Sequence, residues 1–163
     1  MDMRFIGWLA RTAAALLVCA TSAAAQVHAH QEELPHAVPD FAAAPTTQAL
    51  RSGPWSDSGV WSAGRVPSSG DIVLIPSGVE VAYDLRSDAA IKVVGVKGSL
   101  TFLTDTDTRL TVGTLEVYPS GSLEIGRDDR PVAAGRLAEV VIADQPLDTT
   151  TDPEQYGTGL IGF

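Results

Sequence analysis

The side chains placed to do chemistry in this sequence are carboxylates, because the residues that activate nucleophiles lie elsewhere. His28, His30 and His36 all precede residue 37, and Cys19 is the one cysteine. Residues 53–163 therefore hold no Ser-His-Asp or Cys-His arrangement and none of the usual zinc donor sets. Asp105-Thr106-Asp107 begins like a calcium loop, with Glu116 at the twelfth position, but Arg109 takes a ligand position and Leu110 replaces the turn glycine. A solvated turn fits those residues better. Asp128-Asp129, between Arg127 and Arg130, reads as a charged corner. Glycoside hydrolysis needs two facing carboxylates, one of them kept protonated. Glu80 and Glu124 both point outward in the strand pattern and could share a face, yet solvated surface carboxylates give the same pattern. Catalysis by this chain alone is not expected, and no cofactor is implied.

Binding has better candidates. Trp55 and Trp61 offer flat apolar faces for stacking on sugar rings, with Asp57 and Arg65 as hydroxyl partners. The competing reading is structural, with both tryptophans covering the first turn of the fold and keeping its edge dry. A metal reading attaches to His28. Cleavage after Ala25 would leave Gln26-Val27-His28 at a free amine, a donor set for copper or nickel that cyclisation of Gln26 would abolish.

The elements that must position these residues follow a signal and a leader. Arg4 and Arg11, an apolar run over 13–20 too short to span a bilayer, and Ala23-Ala24-Ala25 make residues 1–25 a secretory signal peptide. The expected location is extracellular or periplasmic, with no membrane span after cleavage. Loss of Asp2, Arg4 and Arg11, together +1, takes the net charge from −9 to −10 and removes Cys19. An acidic chain with only Lys92 and Lys97 as lysines is unsuited to nucleic acid or anionic membrane surfaces. Without disulfides it must be held by its core or by partners. Residues 26–52, rich in Ala and Pro and without apolar period, read as a flexible leader.

From residue 53 the pattern becomes short β-branched runs between Gly and Pro, at 72–75, 79–81, 91–94, 100–103, 110–112, 115–117, 123–125 and 139–142. "PSGVEVAYD" at 76–84 returns as "KGSLTF" at 97–102 and "PSGSLEI" at 119–125. In this alignment Val79, Leu100 and Leu123 occupy one inward column, spaced by 21 and 23 residues. A period in the twenties with glycine corners predicts an all-β solenoid, a single-stranded parallel β-helix in which each coil buries its face on the next. The alternative is an antiparallel sandwich. Its usual sign, two-residue Asn-Gly or Asp-Gly hairpin turns, is missing from a chain without asparagine.

The segment "GPWSDSGVWSAGRVPSSGDIVLIPSGVEVAYD", followed by "GSLTF", "LTVGTLEVYPSGSLEIG" and "DPEQYGTGLIGF", resembles the eight-glycine (G-eight) domain. This extracellular module occurs in fibrocystin-type proteins, in cell-migration-inducing hyaluronidases and in bacterial secreted proteins. The resemblance runs from about residue 50 to 163 and rests on Trp55/Trp61, Pro67, Gly70-Asp71, Pro76 with Gly78, Gly98, Gly113, Gly121 and Gly126. It implies a right-handed β-helix over 53–163 and a glycan-related or ligand-binding role, with an extracellular glycan or protein as partner. In the enzymes of that group the module opens a longer β-helix. A downstream β-helix section is therefore the expected partner of the C-terminal edge, where "GTGLIGF" is apolar and uncapped.

Overall fold

The computed structural model describes residues 38–163. The expected signal peptide, most of the expected leader and His28 lie outside the described residues.

The described chain is nearly all β: β1 (Thr47–Gln48), β2 (Gly53–Pro54), β3 (Ile72–Ile75), β4 (Glu80–Tyr83), β5 (Arg86–Val96), β6 (Ser99–Phe102), β7 (Thr108–Val117), β8 (Ser122–Glu124), β9 (Ala138–Ile142) and β10 (Gly159–Gly162), with a 3₁₀ turn at Ser58–Val60. One sheet runs β1-β3-β5-β7, and β7 pairs β9 along its first half and β10 along its second. The other runs β2-β4-β6-β8. Every ladder between named strands is parallel, which excludes the antiparallel sandwich.

Parallel register stacks like on like. Val73, Val94 and Leu115 form one buried column, and Ile75, Val96 and Val117 form the next. In the second sheet Val81 pairs Leu100, which pairs Leu123. The inward column is thus led by Val81, not Val79. The turn 76–79 between β3 and β4 is longer than the turn 97–98 between β5 and β6, and the extra residues take Val79 out of the strand. The same register places Glu80 in the row of Ser99 and Ser122, while Glu124 shares a row with Ala82 and Thr101. The two carboxylates do not face each other, and Glu124 pairs instead with Arg127 and Arg130.

The leader boundary also moves. Thr47–Gln48, inside the expected leader, pairs with β3, and Ala42 and Ala49 are buried. Small side chains give no apolar period, yet they fit where the partner is glycine: a side chain at Gly95 would collide with the Ala42 methyl. The folded unit therefore starts before residue 53.

Candidate functional site

Period-two alternation breaks once in each long strand. Core residues Ile91 and Val94 on β5, and their register partners Val112 and Leu115 on β7, are three apart rather than two. Both strands reset together at Lys92 and Gly113. Between β9 and β10, which both pair with β7, the same position is opened out. Ile142 pairs Val112 and Gly159 pairs Thr114, so residues 143–158 replace what Gly113 alone supplies in β7.

This loop folds back over the sheet and is pinned to it. Ala143 N–H donates to Val112 O at 2.8 Å, Gln145 Nε2 to Ile91 O at 3.2 Å, and Thr158 N–H to Thr114 Oγ1 at 3.1 Å. Gly113 leaves room for this, since a Cβ there would press on the Gln145 side chain and Lys92 O. Inside the loop the buried Asp152 accepts from Tyr156 N–H at 3.0 Å and Gly157 N–H at 2.7 Å. Gln155 (φ 58°) and Thr158 (φ 60°) are the positive-φ residues other than glycine among the described residues. Such strain persists where its surroundings enforce it and gathers at ligand sites.

Opposite the loop runs a strap, residues 38–46. Thr46 N–H donates to Ile72 O at 2.8 Å, and Lys97 Nζ lies 3.0 Å from Asp40 Oδ2. Between strap and loop lies a cleft of about 290 Å³. Ile72, Val93 and Thr114 form its floor, Phe41 and Leu147 its walls, and Lys92 and Asp148 stand at its rim. Hydrogen bonds from Thr151, then from the Thr150 and Thr151 N–H groups, hold the Asp148 carboxyl below its usual range, and nearby Lys92 adds to this. An apolar floor with a few convergent polar groups is the ordinary composition of a small-ligand site. A shallower groove on the outer face of the second sheet is lined by Glu80, Asp84, Thr101 and Arg130. Its Asp84 is committed to Ser56, accepting from the N–H at 2.9 Å and the hydroxyl at 2.5 Å.

The residues singled out in sequence lie elsewhere. Trp55 and Trp61 are each 2% exposed and meet edge to face, their ring centroids 4.7 Å apart. Trp61 Nε1–H donates to Trp55 O at 2.8 Å, and Tyr83 and Phe102 extend the aromatic row. Their faces are taken up by the core and offer nothing to a sugar, which corrects the stacking reading. Asp57 caps the 3₁₀ turn through Gly59 N–H at 2.8 Å and pairs with Arg51 at 2.6 Å. Arg65 makes two hydrogen bonds to Asp71, at 2.7 and 3.0 Å, so it too is spent within the fold. Asp107 accepts from Leu137 N–H, and Asp129 lies near Arg127. Among the described residues no three His, Cys, Asp or Glu side chains converge as a metal site. The loop and strap were missed in sequence, although aligning "LTVGTLEV" with "AEVVI" and "TGLIG" reveals an insertion at one fixed corner.

Fold and cleft define a class: an all-β module whose two parallel sheets stack like side chains in a buried core and whose 143–158 loop roofs an external groove. Residues 60–163 match the G8 domain, and the chain belongs to that family. No curated protein and no solved structure matches the chain.

Proposed function

We propose that this chain is a secreted, non-catalytic right-handed β-helix module that binds an extracellular carbohydrate in the cleft between the strap and the 143–158 loop. The observation that carries the reading is the corner loop: insertions in solenoid repeats collect on one face, which is often the binding face. Handedness follows the general rule for parallel crossovers, and secretion rests on the signal over residues 1–25. A sugar would lay an apolar ring face on Val93 and Leu147 and direct hydroxyls to Lys92, Asp148 and Thr158. Of the aspartates that line the cleft, Asp40 pairs with Lys97 and Asp152 accepts from the Tyr156 and Gly157 N–H groups, so both have structural roles in this reading.

The test is a glycan array with the mature protein, followed by titration of Lys92→Ala and Leu147→Asp. Binding is expected to weaken at least about tenfold in each, the loss of roughly 1.4 kcal/mol or more, with the melting midpoint unchanged. A blank array, or hits indifferent to both substitutions, would overturn the reading. A second reading makes the module the entry section of a hyaluronidase- or lyase-like β-helix, or its structural cap. It is favoured by the exposure of Leu160 and Phe163 on the last coil, where a further coil would dock.

A further inference from the structure

The strap is held by a cluster with too few protons for its acceptors. Tyr118 Oη lies within hydrogen-bonding reach of Asp40 Oδ1 and, at 2.8 Å, of Glu116 Oε2. A phenol carries one proton. Burial, reinforced by the two carboxylates, raises the Tyr118 hydroxyl far above its ordinary value, so it keeps that proton. Each carboxyl oxygen also accepts a backbone N–H, but the two close oxygen–oxygen contacts at Tyr118 are both hydrogen bonds only when one carboxyl brings a proton of its own.

Asp40 is poorly suited to that role. Its Oδ2 pairs with Lys97 at 3.0 Å and its Oδ1 accepts from Ala42 N–H at 3.1 Å. Burial works against its ionisation, but Tyr118, Lys97 and the Ala42 N–H outweigh burial and hold it below the usual range. Glu116 is 1% exposed, in a row with Leu74, Gly95 and Ile161. Its direct partners are Tyr118 and the Phe41 N–H, at 3.1 Å. Burial, the largest influence, pushes its carboxyl up, and Asp40 adds to the rise; Tyr118, the Phe41 N–H and Lys97 pull the other way.

We propose that Glu116, Tyr118 and Asp40 form a proton-linked latch: protonated Glu116 donates to the Tyr118 oxygen, Tyr118 donates to the Asp40 carboxylate, and the strap stays closed until Glu116 ionises. Ionisation leaves two carboxylates competing for one phenolic proton. The loser faces lone pairs, and the two charges repel across Tyr118. The charged and titratable groups facing Glu116 are Asp40 from the strap, Lys97 from the β5–β6 turn and Tyr118 after β7; its row neighbours bring none. Because Glu116 is raised, its contribution is full below its ordinary value of 4.5 and is lost as pH rises through the raised one. Because Asp40 is lowered, its contribution is present above 3.8 and is lost as pH falls through the lowered value. The latch is therefore tightest in mild acid and loosens toward neutrality, freeing the strap wall of the cleft. It stands independently of what the cleft binds.

Hydrogen exchange of the strap in the full chain, corrected for the intrinsic pH dependence of exchange, tests this without a ligand. Protection of residues 40–46 should be highest near about pH 5 and fall toward about pH 8. The expected fall is about tenfold for each pH unit by which closure raises the Glu116 titration. Glu116→Gln keeps the shape and removes the titration; because Tyr118 and the Phe41 N–H both meet Glu116 Oε2, its amide serves one of them and its strap protection is expected to be lower, but that protection should not change over that range. Wild-type protection that is flat with pH, or a Glu116→Gln curve falling like the wild type's, would overturn the latch. Should Glu116→Gln fail to fold, carboxyl NMR of glutamate-labelled wild type decides. One resonance titrating above the ordinary glutamate range in step with the strap amides supports the latch, and all resonances titrating normally refute it.

Discussion

Trp61 shows how far a residue's type can be separated from its use. In sequence its indole could serve a sugar or cover the first turn of the fold; in the structure its N–H is spent on the Trp55 carbonyl and its ring on the edge of Trp55. Trp61→Ala removes that packing and leaves a buried carbonyl without its donor, so it should cost about 3–5 kcal/mol. Urea denaturation followed by circular dichroism checks this, and a midpoint within error of wild type would return the side chain to the surface. Arg65 pairs with Asp71 and Arg51 with Asp57, each six positions apart, whereas in sequence Asp57 and Arg65 read as hydroxyl partners for a sugar, because spacing alone does not say whether a charged side chain is spent within the fold. The Glu116–Tyr118–Asp40 cluster was illegible because Glu116 reaches Phe41 of the strap across 75 positions and Tyr118 reaches Asp40 across 78, and no local pattern marks a carboxylate that will meet a phenol across a strap.

At the scale of elements, the repeat was read from its corners. Pro76-Ser77-Gly78 and Pro119-Ser120-Gly121 do mark equivalent turns, and β3 was found residue for residue. The slip at Val79 arose because corner length varies between coils while strand register does not, so a spacing counted through a corner inherits its irregularity. The corners also differ in why they need glycine. Gly78 has φ +79° with open space around it, whereas Gly98 and Gly121 have no room for a Cβ: it would drive into the carbonyls of Pro76 and Val79 at Gly98, and of Val96 at Gly121. Gly78→Ala should therefore cost about 1–2 kcal/mol, the penalty of a left-handed alanine. Gly98→Ala and Gly121→Ala must push neighbouring turns apart and should each cost more, about 3 kcal/mol or above. Thermal melts of the three variants give the ranking; equal losses would mean that the coils are not in contact through these corners.

Across the whole described unit the two ends of the stack are unequal. At the first, the 3₁₀ turn crosses the edge of β1: Trp61 bridges Ala49 in antiparallel sense, Leu50 N–H donates to Val60 O, and Ser62 N–H donates to Gln48 O. That edge has no ladder to offer a further strand, and Trp55, Val60 and Trp61 beneath it are dry. At the other end, Leu160 (61% exposed) continues the column of Val73, Val94 and Leu115 into solvent, with Ile142 and Phe163 exposed beside it. Parallel period could be seen in the sequence, but an end is defined by what does not stack on it, and no repeat reports that. Because the 3₁₀ turn covers the β1 edge while the Leu160 face is exposed, association of the described unit through that face would join like end to like end and stop at a two-fold dimer. Sedimentation velocity over a concentration series should show a monomer–dimer equilibrium without larger species. Leu160→Lys, which places a charge in the open column, should weaken it at least about tenfold while changing monomer stability by no more than about 0.5 kcal/mol. Open-ended polymers would show that the tryptophan end is not closed, and an unaffected dimer would place the contact elsewhere.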